Sequence, residues 1–105
     1  MKIFHLSQNQ NTDYDTYSDM VVIAKDEEDA KRLHPYQEEE GSKNIFYDED
    51  KKEWWNFYNN SNKKYQFEDS YGAWVNDLSV IKVEYIGEAK EGSKRSVICA
   101  SFHAG

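Results

Sequence analysis

Short apolar runs separated by polar segments dominate the chain, and their pattern predicts β-strands. The first run is Lys2–Ser7, and the second, Met20–Ala24, is continuously apolar and contains several β-branched residues. A continuous run of this kind is typical of a strand that is buried on both faces. Val80–Ile86 alternates between apolar and charged residues, as in a strand with one solvated face. Val97–Phe102 predicts a last apolar strand, which follows a polar, glycine-containing loop.

One short helix is predicted from Asp26 to His34. Asp26 is a favourable N-cap, and Asp29, three residues later, resembles the acidic member of a capping box. The first turn is acidic and the last turn is basic, with His34 counted among the cations, which suits the helix dipole. Pro35 is expected to end the helix, because proline cannot continue it.

The segment Tyr36–Tyr71 allows two interpretations. Its aromatic residues stand in three groups, Ile45–Tyr47, Trp54–Tyr58 and Tyr65–Phe67. In the first interpretation these groups form a three-stranded meander with turns at Asp48–Lys52 and Asn59–Lys63. In the second, Asp48 caps a helix that runs through Tyr58. The β-propensity of aromatic residues favours the meander slightly.

The order of these elements predicts an α+β fold in one domain that spans residues 1–105. A small, mainly antiparallel sheet with one short helix packed on a face is the simplest way to bury the apolar runs. A chain of 105 residues can bury one modest core. Aromatic residues make up 15% of the chain, so large rings are expected to supply much of that core.

The formal net charge is -7, and it resides in the first half of the chain. Residues 1–53 contain 14 acidic and 7 basic residues, whereas the acidic and basic residues of the second half balance. This charge disfavours direct contact with nucleic acid or an anionic membrane, and a partner protein with a basic surface is its complement. Cys99 is the only cysteine, so no disulfide is expected within the chain. With no apolar run of membrane-spanning length, the chain is expected to be cytoplasmic.

Three segments resemble a family of small proteins found in phages and prophage regions. They are VVIAKDEEDAKRLHP (Val21–Pro35), VEYIGEA (Val83–Ala89) and VICASFHAG (Val97–Gly105), and members of that family typically end in a similar A-S-F-x-A-G tail. The resemblance implies a phage-like origin and, by association, a protein that binds and inhibits host machinery, including antiviral defence in the manner of an anti-CRISPR. It implies no catalytic residues. Gln37–Tyr71 departs from the compact family pattern and is interpreted as an aromatic insertion, where a special binding function is expected.

Two sets of residues in this segment are candidates for partner binding. The aromatic set is Trp54, Trp55, Phe57 and Tyr58, and the acidic set is Glu38, Glu39, Glu40, Asp48, Glu49 and Asp50. Tyrosine and tryptophan are enriched at protein interfaces, although core packing is the alternative role for these rings. Neighbouring residues on a strand point to opposite faces, so one of Trp54 and Trp55 is expected to be exposed. If the carboxylates share a face, they could imitate the phosphates of nucleic acid in a basic channel.

The sequence contains no recognisable nucleophile–base pair, metal-ligand spacing or glycine-rich phosphate loop, so neither catalysis nor a cofactor is predicted. The predicted function is therefore that of a non-catalytic, phage-type binding protein that inhibits a host protein with a basic surface. Two alternatives stay open. One is a small-ligand module that captures a nucleotide in an aromatic pocket, and the other is a nucleic-acid mimic that occupies a basic channel.

Overall fold

Seven strands in two antiparallel sheets form the framework of the computed structural model, which describes residues 1–12, 16–38, 45–57, 64–66 and 74–103. In chain order the strands are β1 (Lys2–Ser7), β2 (Thr16–Ala24), β3 (Ile45–Asp48), β4 (Glu53–Phe57), β5 (Lys64–Gln66), β6 (Lys82–Glu88) and β7 (Ser96–His103). Four of them form a large sheet in the order β6-β1-β2-β7. The other three form a small sheet in the order β3-β4-β5.

The large sheet is built on the central antiparallel pair of β1 and β2, in which Ile3 lies opposite Ile23. β6 pairs with the other side of β1, and β7 pairs with the other side of β2. Each edge strand contains one extra residue where the register shifts, Ile86 in β6 and Ile98 in β7. These two positions are β-bulges, which increase the local twist and redirect the side chains of the edge strands.

The hydrophobic core lies on one side of the large sheet, which we call the inner face. Because side chains alternate along a strand, every second residue points to this side. The buried apolar residues that the sheet contributes are Phe4, Leu6, Tyr17, Met20, Val22, Ala24 and Val97. Residues from outside the sheet complete the same core, namely Ala30, Leu33, Ile45, Trp54, Trp74, Val75 and Ile81.

The prediction that β2 is buried on both faces is wrong. Burial alternates along the strand, with Met20 and Val22 fully buried and Val21 and Ile23 only half-buried. The described residues therefore cover the inner side of β2 and leave its opposite side partly open. The strand is also longer than predicted, because it begins at Thr16 rather than at Met20.

A single helical turn, α1 (Glu27–Ala30), replaces the longer helix that was predicted to reach His34. The predicted N-cap is confirmed, since the Asp26 carboxylate accepts a hydrogen bond from the backbone N–H of Asp29 at 2.8 Å. The Asp29 carboxylate in turn accepts from the backbone N–H of Lys25 at 3.1 Å. The start of the helix was thus readable from local sequence.

The end of the helix could not be predicted in this way, because after Ala30 the chain forms 3-10-type hydrogen bonds instead of continuing as an α-helix to His34. Leu33 N donates to Ala30 O at 3.2 Å, which is the tighter bonding pattern of a 3-10 turn. Proline disfavours helical conformation in the residue before it, so the α-helix cannot include His34. Pro35 instead begins a separate 3-10 turn, Pro35–Glu38.

The small sheet confirms the meander and excludes the alternative helix from Asp48 to Tyr58. The predicted turn at Asp48–Lys52 is present, with the Asp48 carboxylate accepting from the backbone N–H groups of Asp50 and Lys51 at 3.0 Å each. Lys52 closes the turn with a positive φ of 55°. The second predicted turn, Asn59–Lys63, lies outside the described residues.

Trp54 in β4 joins the small sheet to the rest of the domain. Its indole N–H donates to the carbonyl of Val75 at 2.9 Å, and its backbone N–H donates to Asn76 Oδ1 at 3.2 Å. The Tyr47 hydroxyl donates to the carbonyl of Asn76 at 2.8 Å. The result is a mainly antiparallel β fold with little helix, in broad agreement with the α+β expectation. Within the described ranges, no helix is long and apolar enough to cross a membrane.

Candidate protein-binding surface

The two adjacent tryptophans have different environments, as strand alternation predicts. Trp54 is 1% exposed and packs edge-on against His34 and Tyr47, with ring centroids 5.0 and 5.1 Å away. A partner cannot reach this ring while the domain is folded, so a role as an exposed anchor does not fit its position. Trp55 is half-buried, and the Lys51 ammonium lies 4.6 Å from its ring centroid. Its indole N–H donates to Glu53 Oε1 at 3.1 Å.

The other predicted binding residues are spread over several environments. Phe57 ends β4, while Tyr58, Glu39 and Glu40 lie outside the described residues. Glu38 is exposed at the end of its 3-10 turn. Asp48 ends β3, Glu49 and Asp50 follow it in the turn, and these three carboxylates differ in their contacts.

Arg32 links the β3–β4 turn to α1. Its guanidinium donates to Glu49 at 2.6 and 3.3 Å and to the Glu28 carboxylate at 2.9 Å. The hydrogen bond from Arg32 lowers the pKa of the Glu49 carboxyl, and the same bond raises the pKa of Arg32. Asp48 caps the turn, and Asp50 is exposed. Carboxylates from two distant segments do share a surface, but internal partners neutralise much of their charge.

The Asp29 carboxylate of α1 also has hydrogen-bond partners within the chain. It accepts a hydrogen bond from Arg95 Nε at 2.7 Å, and Arg95 also donates to the Arg32 carbonyl at 3.2 Å. Arg95 precedes β7, so these bonds attach the helical segment to the edge of the large sheet. The cluster of acidic residues is therefore mainly a set of structural contacts.

The side of the large sheet that faces away from the core, which we call the outer face, contains a group of apolar residues from all four strands. Register places Ile3, Val21, Ile23 and Cys99 on it, and we count with them Ile86 and Ile98, the extra residues of the two edge strands beside it. Ile86 and Ile98 are 54% and 47% exposed, and the other isoleucines and the valine are half-buried. Contiguous exposed apolar groups of this kind mark interaction surfaces on soluble proteins.

Register places these residues next to one another. Ile3 of β1 lies directly opposite Ile23 of β2, and Val21 lies opposite Cys99 of β7. The two bulge residues lie at the flanks, since Ile86 precedes Gly87, the β6 partner of Ile3. The bulges thus add an isoleucine at each edge of the apolar group.

A polar pair marks one end of the outer face. His5 Nε2 and Asp19 Oδ2 are 2.9 Å apart, and Ser18 also donates to Asp19 at 2.7 Å. The hydrogen bond with His5, followed by that from Ser18, lowers the pKa of the Asp19 carboxyl. Glu84 lies opposite His5 on β6 and is exposed. The outer face therefore combines an apolar centre with a charged end, which could orient a bound protein.

His34 has a structural role, contrary to the prediction that it serves as a last-turn cation. The ring is 1% exposed, and Nδ1 accepts a hydrogen bond from the backbone N–H of Tyr36 at 3.0 Å. Burial lowers the pKa of His34 to about 3, so the ring is neutral at ordinary pH. Local sequence could not reveal this, because the burial comes from distant residues such as Trp54.

A cleft of about 590 Å³ lies on another part of the domain and bears on the small-ligand alternative. Its described lining includes Gln10, Asn11, Trp74, Val75, Asn76, Asp77 and Val80. Trp74 is the aromatic residue in that lining, and it is only 2% exposed. Its buried indole N–H has no hydrogen-bond partner among the residues that the structure describes. A base or nucleotide could not stack on this ring as it is placed.

Sequence reasoning missed the outer face, although one signal was available. The apolar run at Met20–Ala24 implied a second buried side, and the described residues leave that side partly open.

No group of histidine, cysteine and acidic residues suited to a metal ion occurs among the described residues. Comparison of the chain with protein-family models, with curated proteins and with solved structures finds no match.

Proposed function

We propose that this chain is a non-catalytic binding domain whose outer face contacts another protein. The observation that supports this proposal is the apolar group spread across all four strands of the large sheet. Ile86 and Ile98 are about half exposed. The exposed half of an isoleucine side chain does not contribute to the stability of a monomeric domain, because it is not buried. Full burial of an isoleucine contributes about 1.5–3 kcal/mol, so covering the remaining half of each would contribute roughly 1 kcal/mol or more.

The proposed partner has an apolar contact surface bordered by basic residues. The chain's net charge of -7 favours encounter with a positively charged protein and disfavours nucleic acid. The basic residues at the border of the partner's surface would contact the charged end of the outer face, which contains Asp19 and Glu84. Trp55, which is half-buried, and the exposed Asp50 belong to a different surface and are assigned a secondary role.

The finer proposal concerns the identity of the partner. The resemblance of Val21–Pro35, Val83–Ala89 and Val97–Gly105 to phage proteins supports a host protein as the target and a counter-defence role in the host cytoplasm. Under the same proposal, residues 37–71 are an insertion in a shared scaffold. The large sheet, rather than this insertion, would then supply the main contact.

The test compares two variants for binding to a partner that wild-type protein captures from bacterial lysate. Ile86→Thr/Ile98→Thr keeps β-branched side chains but removes most of the exposed apolar surface. Tyr85→Thr is the matched control, because Tyr85 is 51% exposed on the same edge strand and its ring packs against inner-face Phe4. The captured protein is identified, purified and titrated calorimetrically against each variant.

We expect the double variant to bind roughly 10- to 100-fold more weakly than wild type, since each factor of ten corresponds to about 1.4 kcal/mol. The control should bind within about threefold of wild type, and added salt should weaken every complex. Unchanged affinity of the double variant would overturn the proposal. A nucleotide that raises the melting temperature by several degrees would instead support the small-ligand alternative.

A further inference from the structure

We propose that the cleft beside Trp74 binds a small neutral ligand that carries a secondary amide group. The cleft has a volume of about 590 Å³, which lies within the usual range of roughly 300–1,000 Å³ for small-molecule sites. In the complex the ligand carbonyl accepts a hydrogen bond from the Trp74 indole N–H, and the ligand N–H donates to the Asp77 carboxylate. None of the outer-face residues belongs to the described lining, so the proposal goes beyond the protein-binding function.

The indole N–H of Trp74 is a buried donor that has no acceptor among the described residues. Trp74 lines the cleft and is 2% exposed. The indole N–H groups of the other two tryptophans are bonded, that of Trp54 to the Val75 carbonyl and that of Trp55 to Glu53. A buried donor without an acceptor has lost its hydrogen bond to water and gained none in the fold. A ligand that supplies the acceptor recovers this loss.

One wall of the cleft consists of Gln10 and Asn11, from the loop that follows β1. The side chain of Gln8 holds this loop in place. Its Oε1 accepts from the backbone N–H groups of Gln10 and Asn11 at 3.0 and 2.8 Å, and its Nε2 donates to the Asn11 carbonyl at 2.7 Å. The cleft is therefore formed before a ligand binds. Because Trp74 is closed to solvent, its bond to the ligand requires a small shift of the ring or of the wall beside it.

Asp77 supplies an oriented acceptor in the same cleft. Its carboxylate accepts hydrogen bonds from the Ser79 hydroxyl at 2.6 Å and from the Ser79 backbone N–H at 3.0 Å. These bonds lower the pKa of the Asp77 carboxyl, so the group is ionised at neutral pH. An ionised carboxylate can accept about four hydrogen bonds, so Asp77 has capacity for a ligand N–H.

The two groups select a ligand that has an acceptor and a donor side by side. An indole N–H can only donate and an ionised carboxylate can only accept, and a secondary amide offers a carbonyl and an N–H to match them. Asp77 is the charged residue of the described lining, so phosphate and carboxylate ligands are disfavoured. Val75 and Val80 provide apolar surface for the rest of the ligand. A cyclic amide and a peptide group share this chemistry.

The test uses 2-piperidone, a cyclic secondary amide, and follows the indole N–H signals of the protein by nuclear magnetic resonance. Through-bond spectra assign the three indole signals, so the signal of Trp74 is identified without a substitution. N-methyl-2-piperidone is the matched control ligand, because it keeps the carbonyl and lacks the N–H. N-acetylglycine N-methylamide, which contains two peptide groups, is the third probe.

We expect 2-piperidone to move the Trp74 indole proton downfield until the signal saturates, because the donor gains an acceptor. It should bind about three- to tenfold more tightly than N-methyl-2-piperidone, since one hydrogen bond separates the two ligands. Asp77→Asn keeps an oxygen that can cap the 3-10 turn Leu78–Val80 but removes the charge. This variant should bind 2-piperidone about threefold more weakly and N-methyl-2-piperidone unchanged, because hydrogen bonds to ionised groups are stronger.

The third probe separates the two sources of a secondary amide. Tighter binding of N-acetylglycine N-methylamide than of 2-piperidone would support the proposal with a peptide as the ligand. The reverse order would support it with a small cyclic amide.

Three results would overturn the proposal. They are a Trp74 signal that does not respond to 2-piperidone, equal affinity for 2-piperidone and its N-methyl derivative, and a long-lived water beside the indole N–H of the free protein, which would already supply the acceptor. If Asp77→Asn does not fold, the comparison of the two piperidones decides. Ile86→Thr/Ile98→Thr changes the outer face and should leave 2-piperidone binding unchanged, so this proposal and the protein-binding function fail separately.

Discussion

Mild acid is expected to destabilise the domain through one buried group, His34. The ring packs edge-on against Trp54 at 5.0 Å between centroids, and its Nδ1 accepts a hydrogen bond from Tyr36. Because the ring is buried, its pKa falls from 6.5 to about 3 in the folded chain. Protonation would place a charge in the core and remove the acceptor at Nδ1.

The sign and size of the effect follow from proton linkage. Between pH 6.5 and 3 the unfolded chain binds a proton at His34 that the folded chain does not, so the free energy of unfolding falls as pH falls. Lowering the pH from 7 to 4.5 is expected to cost about 2.7 kcal/mol, at about 1.36 kcal/mol per pH unit below 6.5. That is a large share of the roughly 5–15 kcal/mol by which most domains are stable.

Carboxylates become protonated at lower pH, so they do not obscure the loss of stability that His34 causes. The pKa values of Asp19, Glu49 and Asp77 are lowered in the folded chain, mainly by hydrogen bonds from His5, Arg32 and Ser79 respectively. Their stabilising contribution is complete above their unfolded-state pKa values and is lost only as these groups become protonated, below about pH 4.5. The window from pH 6.5 to 4.5 therefore reports mainly on histidine.

Urea unfolding at several pH values between 7 and 4.5, followed by tryptophan fluorescence, measures the loss. His34→Asn offers an amide oxygen near the position of Nδ1 and cannot be protonated. It should be less stable at pH 7 but almost independent of pH in this window. The control is His103→Gln, which changes an exposed histidine and leaves His34 in place. If wild type and His34→Asn lose the same free energy on acidification, the reasoning about His34 is refuted.

Two further predictions concern single residues of the small sheet. Trp54→Ala should lower the free energy of unfolding by about 3–5 kcal/mol, because it removes a core ring, whereas Trp55→Ala should cost about 1 kcal/mol. Equal losses in urea unfolding would contradict the placement of the two rings. Lys52→Gly should raise the free energy of unfolding by about 0.5 kcal/mol, because glycine accepts a positive φ without steric cost. Lys51→Gly is its control and should be destabilising; a loss of stability in Lys52→Gly would count against strain at that turn.

Features that depend on neighbours in sequence were predictable. β1 has the predicted bounds, Lys2–Ser7, because its apolar positions and the polar loop after it are local signals. The Asp26 cap and the turn at Asp48–Lys52 are formed by side chains that bond to backbone groups only two or three residues away. Such bonds form wherever the chain reverses or a helix begins, whatever surrounds them.

Features that depend on distant residues were not predictable. The pattern indicated that one of Trp54 and Trp55 is buried, but the choice depends on Val75 and Asn76, more than twenty positions along the chain. The acidic clusters looked available for a partner until Arg32 was seen to bond Glu28 and Glu49 together. In each case the decisive contact joins two segments that are far apart in the sequence, and no local pattern predicts that they come together.

The amino-acid sequence is enough to predict that Met20–Ala24 is a strand. The run is short, has no polar residue and is rich in β-branched residues, which favour a buried strand. The sequence is also enough to establish the chain's acidity and its single cysteine. Which side of that strand is covered was decided only by the fold. The core lies on the inner face, and the described residues leave Val21 and Ile23 half-buried beside the exposed Ile98. Hydrophobic burial depends on what is brought against a surface in three dimensions, and that is a property of the tertiary structure.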